Sequence, residues 1–203
     1  MSTDKNVSPL PRRRLSREAR YQQLIEEAWN LIRSEGTEAL TLGRLADQSG
    51  VTKPVVYDHF GTRAGLFAVL YQEFDARQNA LFDAALAESE PTLAARAEVI
   101  AHSYVNCVQQ QGREIPGIIA ALVGSPELEQ IKRAYEMAFI EKCREILAPF
   151  TQGGELPDAG LWAMLGAAES VSYAVTRNEI TVQQAQCELF AVITALVERS
   201  QRS

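Results

Sequence analysis

The sequence predicts an all-α protein. Apolar residues recur at helical spacing through most of the 203-residue chain, capping and stopping residues bracket those runs, and no stretch alternates cleanly between apolar and polar side chains. With 46% hydrophobic residues the chain has the material for a sizeable core in one or two domains.

Residues 1–15 read as a flexible basic arm, because Pro9 and Pro11 oppose a helix and Arg12, Arg13 and Arg14 form a charge run. Such a run is ordinarily a solvated face, and here it also stands where it could reach phosphate or a minor groove. From Arg17 the residues Leu24, Ile25, Ala28, Leu31 and Ile32 follow the helical period, with Ser16 as cap and Gly36 as stop. A short helix follows, capped by Thr41, with Leu42, Leu45 and Ala46 on one face, ending at Gly50. Glycine suits a turn position with positive φ, and Val51 can tuck between the flanking helices. Thr52 is placed to cap the next helix, Lys53 to about His59, with Pro54 in its first turn and Val55 or Val56 and Phe60 facing the core.

Gly61 stops that helix and Thr62 caps another, from Arg63 to about Glu88, whose rhythm is Leu66, Phe67, Leu70, Tyr71 and Phe74. Beyond Pro91 the pattern gives helices over roughly 92–111, 114–123, 126–148, 159–178 and 181–199, punctuated by glycines and prolines. The expected organisation is the basic arm, a three-helix domain over 16–62 and a helical ligand-binding and dimerisation domain over 63–203.

Two short helices joined by a tight turn, with a third starting at once, are the layout of a helix-turn-helix, which points to duplex DNA as partner. Charge agrees: residues 1–65 hold 10 Lys and Arg against 8 Asp and Glu, a balance of +2, whereas residues 66–203 hold 10 against 18, a balance of -8. Candidate DNA contacts are the residues that the core does not claim. Lys53 can donate to guanine O6 and N7, Thr52 to phosphate or a base edge, and Pro54 can lie on a thymine methyl. Tyr57 and His59 offer single donors that fix a phosphate in register, and Arg44 and Arg63 add charge at the starts of the flanking helices.

The region closely resembles the TetR/AcrR family of transcriptional regulators over about residues 17–70. The resemblance is carried in order by Tyr21 to Ala28, the Gly36 stop, Thr41-Leu42-Gly43-Arg44-Leu45-Ala46, the turn Gly50-Val51-Thr52, Val56-Tyr57-Asp58-His59-Phe60, Thr62-Arg63 and Leu66-Phe67. It implies an all-helical homodimer whose two N-terminal domains enter successive major grooves of a palindromic operator, usually to repress transcription. A small molecule in the body would shift the pendulum-like helix between the domains and spoil the half-site spacing. The family's phosphate-binding basic residue falls on Arg63, and its recognition-helix tyrosine and histidine on Tyr57 and His59. Two departures stand out: Ala64-Gly65 replaces the usual acidic residue after the basic one, which would loosen the helix start, and Pro54 stands where a small residue is common.

In the body, Trp162, Tyr173, Phe139, Tyr104 and Tyr135, with Met137, are candidates to line a cavity, and Asn106, His102, Glu169 and Arg177 to orient a small-molecule effector. This inventory suits a neutral, partly aromatic or hydrophobic ligand better than a polyanion, since Lys and Arg are sparse there. Leu161, Leu165 and Ala168 on one helix, and Phe190, Ile193, Leu196 and Val197 on the next, make two apolar faces expected to form a homodimer interface, with small residues allowing close helix contact.

No cofactor is expected. Metal-ligand clusters, a phosphate-cradling glycine loop and a nucleophile, base and acid set at suggestive spacing are missing from the sequence, which argues against an enzyme. Three dispersed cysteines, Cys107, Cys143 and Cys187, fit reduced thiols. With no apolar leader or membrane-length apolar run, the expected location is the cytoplasm. The competing functions are a DNA-binding protein without an effector and a transcriptional activator.

Overall fold

The computed structural model describes residues 15–110, 114–123, 126–153 and 155–201, and the arginine run of the expected basic arm lies outside them. Among the described residues there are nine α-helices and no strand: α1 Arg17–Glu35, α2 Leu42–Ser49, α3 Lys53–Phe60, α4 Arg63–Glu88, α5 Leu93–Gln110, α6 Glu114–Leu122, α7 Pro126–Leu147, α8 Asp158–Thr176 and α9 Val182–Ser200. Short 3-10 turns occupy Thr37–Ala39 and Ala148–Phe150.

Local chemistry sets the helix ends. Ser16 accepts a hydrogen bond from the Ala19 amide at 3.1 Å, Thr41 from Arg44 at 3.1 Å and Thr62 from Gly65 at 2.9 Å, each satisfying an otherwise orphaned donor. Thr181 and Gln184 form a complete capping box at the start of α9. Thr52 departs from expectation: it precedes α3 in extended conformation, but its side chain makes no capping bond. The Pro54 ring supplies part of what the cap would have given, since its fixed φ is already helical. At the turn between α2 and α3, Gly50 takes the left-handed conformation at φ 64°, which lets the Val51 amide reach back to the Ala46 carbonyl at 3.0 Å.

Two apolar clusters organise the chain. The first joins α1, α2, α3 and the start of α4 through Leu24, Leu31, Leu45, Val56, Phe60 and Phe67, and it also takes in Ile115 and Ile118 from α6. That last contribution is long-range, and a close approach fixes it: a Cβ added at Gly117 would stand 2.2 Å from the Thr37 hydroxyl. The second cluster packs α5 against the α8–α9 hairpin, with Phe82 of α4 and Ile140, Cys143 and Leu147 of α7 closing it. Close contact within the hairpin again depends on a missing side chain, because a Cβ at Gly160 would meet the Leu196 side chain at 2.3 Å. The non-glycine residue Asn178 turns the hairpin at φ 59°, a conformation that asparagine tolerates better than most residues.

The replacement by Ala64-Gly65 does not loosen the start of α4. A Cβ at Gly65 would lie 2.2 Å from the Phe60 carbonyl oxygen, so glycine is what lets α4 begin this close to the end of α3.

Candidate functional site

The helix α3 turns Val56 and Phe60 into the first cluster and leaves Thr52, Lys53, Pro54 and Tyr57 exposed on the other side. Tyr57 is 54% exposed, a large aromatic surface without a core partner on an eight-residue helix. Lys53 runs its stem toward the start of α2, where a Cβ at Gly43 would lie 3.5 Å from its Cε. Arg44 is exposed on α2 and ion-paired to Glu35 at 2.7 Å. These residues stand on the exposed face of α2 and α3.

Two residues expected on that face take other positions. His59 is half-buried beside Tyr21 and Phe60, with ring centroids 6.0 Å from each, so it helps pack α3 onto α1. Arg63 donates from Nε to the Leu40 carbonyl at 2.7 Å and from a terminal nitrogen to the Thr37 carbonyl at 2.9 Å, and its guanidinium lies 4.8 Å from the Phe67 ring centroid. Those carbonyls, in the connection between α1 and α2, engage the planar fork that the sequence reading reserved for phosphate.

The body contains a cavity of about 190 Å³ between α4, α5, α7 and α8. Helical spacing builds each wall: Tyr71, Asp75, Gln78 and Phe82 from α4, Tyr104 and Cys107 from α5, Lys132, Tyr135, Glu136 and Phe139 from α7, and Leu165 and Glu169 from α8. Tyr71 and Tyr135 pair with centroids 5.5 Å apart, and Tyr104 meets Phe139 edge-on at 5.1 Å. The walls place Asp75, Glu136 and Glu169 against Lys132, a net negative balance. Burial, with the Asp75 carboxylate adding, pushes the Tyr71 and Tyr135 phenols and the Cys107 thiol up to about 12, and the Tyr104 phenol rises through burial and then Glu169. Asp75 itself is raised by burial, against the opposing effects of an Asn79 hydrogen bond and the Lys142 charge.

Of the residues expected to hold a ligand, Tyr104, Tyr135, Phe139 and Glu169 line this cavity. The others do not. His102 is exposed, and Asn106 is an exposed partner of Gln186 at 3.1 Å. Tyr173 and Arg177 stack on the outside, with Arg177 ion-paired to Glu179 at 2.8 Å, and Trp162 is covered by Arg133 at 4.7 Å. Met137 is exposed on α7. The wall from α4 is not among the residues expected from the sequence, in which the same helix also reads as a connector; its signal is the spacing of Tyr71, Asp75, Gln78 and Phe82 along one face.

The expected dimer faces also need correction. Leu161, Leu165, Ala168, Ile193, Leu196 and Val197 are all buried within the single chain, and Phe190 is half-buried against the same cluster. Their periodicity reports the core of the α8–α9 hairpin. The outward face of α8 is instead Ala159, Ala163, Gly166, Ser170 and Tyr173, and that of α9 includes Cys187 and Ala191. Nothing lies within 4 Å of a Cβ added at Gly166.

A small helical head with a polar face on its second short helix, joined by one long helix to a body with an aromatic cavity, has the form of a helix-turn-helix regulator. Residues 24–75 match the bacterial regulatory proteins of the tetR family. The chain is 38% identical over 63 residues to the HTH-type transcriptional activator FasR of Mycolicibacterium smegmatis, a match covering 30% of this chain and 29% of that protein. The fold of the whole chain is similar to a transcriptional regulator from Pseudomonas aeruginosa PAO1, with TM-score 0.74 at 15% identity, covering 93% of this chain and 95% of the other. It is also similar to the fatty acid degradation regulator FadR from Bacillus halodurans, with TM-score 0.62 at 15% identity and coverage of 95% and 97%. The N-terminal region thus carries the pattern of the tetR family of bacterial regulatory proteins, and the chain as a whole shares its fold with solved transcriptional regulators. Among the described residues no helix is long and apolar enough to cross a membrane.

Proposed function

We propose that this protein is a cytoplasmic, ligand-responsive regulator that binds a palindromic operator as a homodimer, represses transcription there and is released by a small molecule. The observation that carries the proposal is the division of α3, with Val56 and Phe60 inside and Thr52, Lys53, Pro54 and Tyr57 outside. In this reading the head, 16–62, reads DNA through Lys53, Thr52 and Pro54 at base edges, with Tyr57 and Arg44 on phosphates. The body, from 63 onward, holds the effector in the aromatic cavity and pairs with a second copy through the outward faces of α8 and α9. The small side chains there support close helix packing.

Selection from a random duplex library near 150 mM salt, where nonspecific phosphate binding is weakened, tests the DNA reading. The expected product is a palindrome whose half-sites are centred about 34–36 Å apart or a multiple of that spacing. Lys53→Ala should relax base preference, and Tyr57→Phe should weaken binding more evenly across sequences. Absence of enrichment by the folded protein would overturn the proposal. Gly166→Arg tests the dimer separately: the side chain has open space in one copy, so light scattering should report a folded monomer.

Activation is the second reading, favoured by the similarity to the M. smegmatis transcriptional activator FasR. Transcription from a promoter carrying the selected operator, with and without the protein, distinguishes the two signs.

A further inference from the structure

The cavity walls bring three carboxylates, Asp75, Glu136 and Glu169, against one cation, Lys132. Lys132 already lies 3.9 Å from Glu136, and the neighbouring Arg133 lies 3.8 Å from the same carboxylate. Asp75 accepts a hydrogen bond from the Asn79 side-chain amide at 2.9 Å. Among the described residues no Lys or Arg stands within ion-pair distance of Asp75 or Glu169; Lys142, whose charge reaches Asp75, is held by Asp83 at 2.6 Å. A carboxylate in a partly dehydrated cavity without a direct counter-ion is a standing electrostatic cost, which a bound cation would relieve.

The aromatic rings favour the same charge. Asp75 stands one turn after Tyr71 on the same face of α4, both line the cavity with Tyr135, and the Tyr104–Phe139 pair stands within the same cavity. Ring faces attract cations, most strongly where water is excluded. An anionic amphiphile would instead place its head among three carboxylates.

We infer that the effector is a monocation with an aromatic or alkyl body, its ammonium group held between Asp75 and the Tyr71–Tyr135 pair. The inference rests on this cavity being the effector site. The apolar portion would lie toward Phe82, Phe139 and Leu165, and the volume of about 190 Å³ limits the ligand to a compact molecule unless the walls move.

A matched series of 4-phenylbutylamine, 4-phenylbutanol and 4-phenylbutanoate, titrated calorimetrically into the full chain at pH 7.5, tests the charge preference. The amine should bind about tenfold more tightly than the alcohol, with the carboxylate weakest. Asp75→Asn, which keeps the side-chain shape, should reduce amine affinity to that of the alcohol and leave the alcohol unchanged. Glu169→Gln, at the exposed rim, should produce a smaller loss of the same kind and serves should Asp75→Asn fail to fold by circular dichroism. Equal affinity for amine and alcohol, or preference for the carboxylate, overturns the cationic inference while keeping the cavity as effector site. If none of the three binds, the cavity reading itself fails and the inference falls with it.

Discussion

The head and the body place their candidate functional residues on opposite sides of their cores. In the head, a contiguous run from Leu24 to Phe74 makes most of the core, and the candidate DNA-reading side chains are what that core leaves outside. In the body, the candidate ligand-reading side chains face inward and come from four helices spanning Tyr71 to Glu169. An outward face is fixed by the helix that carries it, whereas an inward cavity is fixed only when distant helices meet. The first kind of site is therefore local in sequence and the second is not.

The largest effect that would sharpen this contrast is expected at Gly65. Helix propensity alone favours Gly65→Ala by about 1 kcal/mol, yet the new Cβ would press on the Phe60 carbonyl. A loss of about 1–3 kcal/mol in urea unfolding is expected, because a backbone oxygen cannot turn aside as a side chain can. Unchanged stability would mean that α3 and α4 are less tightly joined than the geometry requires.

Arg63→Met should cost about 1–2 kcal/mol by leaving the Leu40 and Thr37 carbonyls without their charged donor. Arg63→Lys should restore little of it, since one ammonium cannot reproduce the planar fork. Measured with operator binding, this pair separates a positioning role from a phosphate contact: a pure phosphate contact would weaken binding with no change in unfolding.

A smaller effect distinguishes two threonines of the head. Thr41→Ala should lower stability by about 1 kcal/mol, as its hydroxyl caps α2, whereas Thr52→Ala should leave unfolding nearly unchanged. In operator binding the order should reverse, with Thr52→Ala the more damaging.

The smallest effect belongs to the cavity and depends on pH. Burial raises the folded-state pKa of Asp75 above its ordinary value of 3.8, so between those two values the folded chain binds more protons than the unfolded one. Stability contributed by this group thus declines as pH rises through that window. Asp75→Asn should flatten the decline and raise the melting temperature of the ligand-free protein at neutral pH; a lower melting temperature at neutral pH would show that the carboxylate is better compensated than its surroundings indicate.

The helix limits were legible because their causes are local: Ser16, Thr41, Thr62 and Thr181 cap the helices they precede, and Gly36, Gly50 and Gly61 follow helices that end. The division of α3 was legible for the same reason. Apolar periodicity, however, cannot tell a helix face packed within one chain from a face packed on a second copy, and Leu161, Leu165 and Ile193, expected at a dimer interface, lie in the core of the single chain. The outward face of α8 carries small residues, whose weak hydrophobic signal conceals them. Arg63 and His59 show a further limit, since the carbonyls and rings that engage them lie far away in sequence.

Between Arg63 and Phe82 the helix α4 contains no proline, and its one glycine stands in the first turn. At 1.5 Å per residue that stretch is about 28 Å long, a straight rod between the cavity wall and the candidate DNA-reading face. Tilting it by about 10° at the cavity would carry the far end through about 5 Å, the length of roughly one and a half base-pair steps in a duplex with one charge per about 3.4 Å of each strand. In the proposed dimer, a ligand no larger than a few carbon atoms across would thus have enough mechanical advantage to move one reading head out of register with its twin.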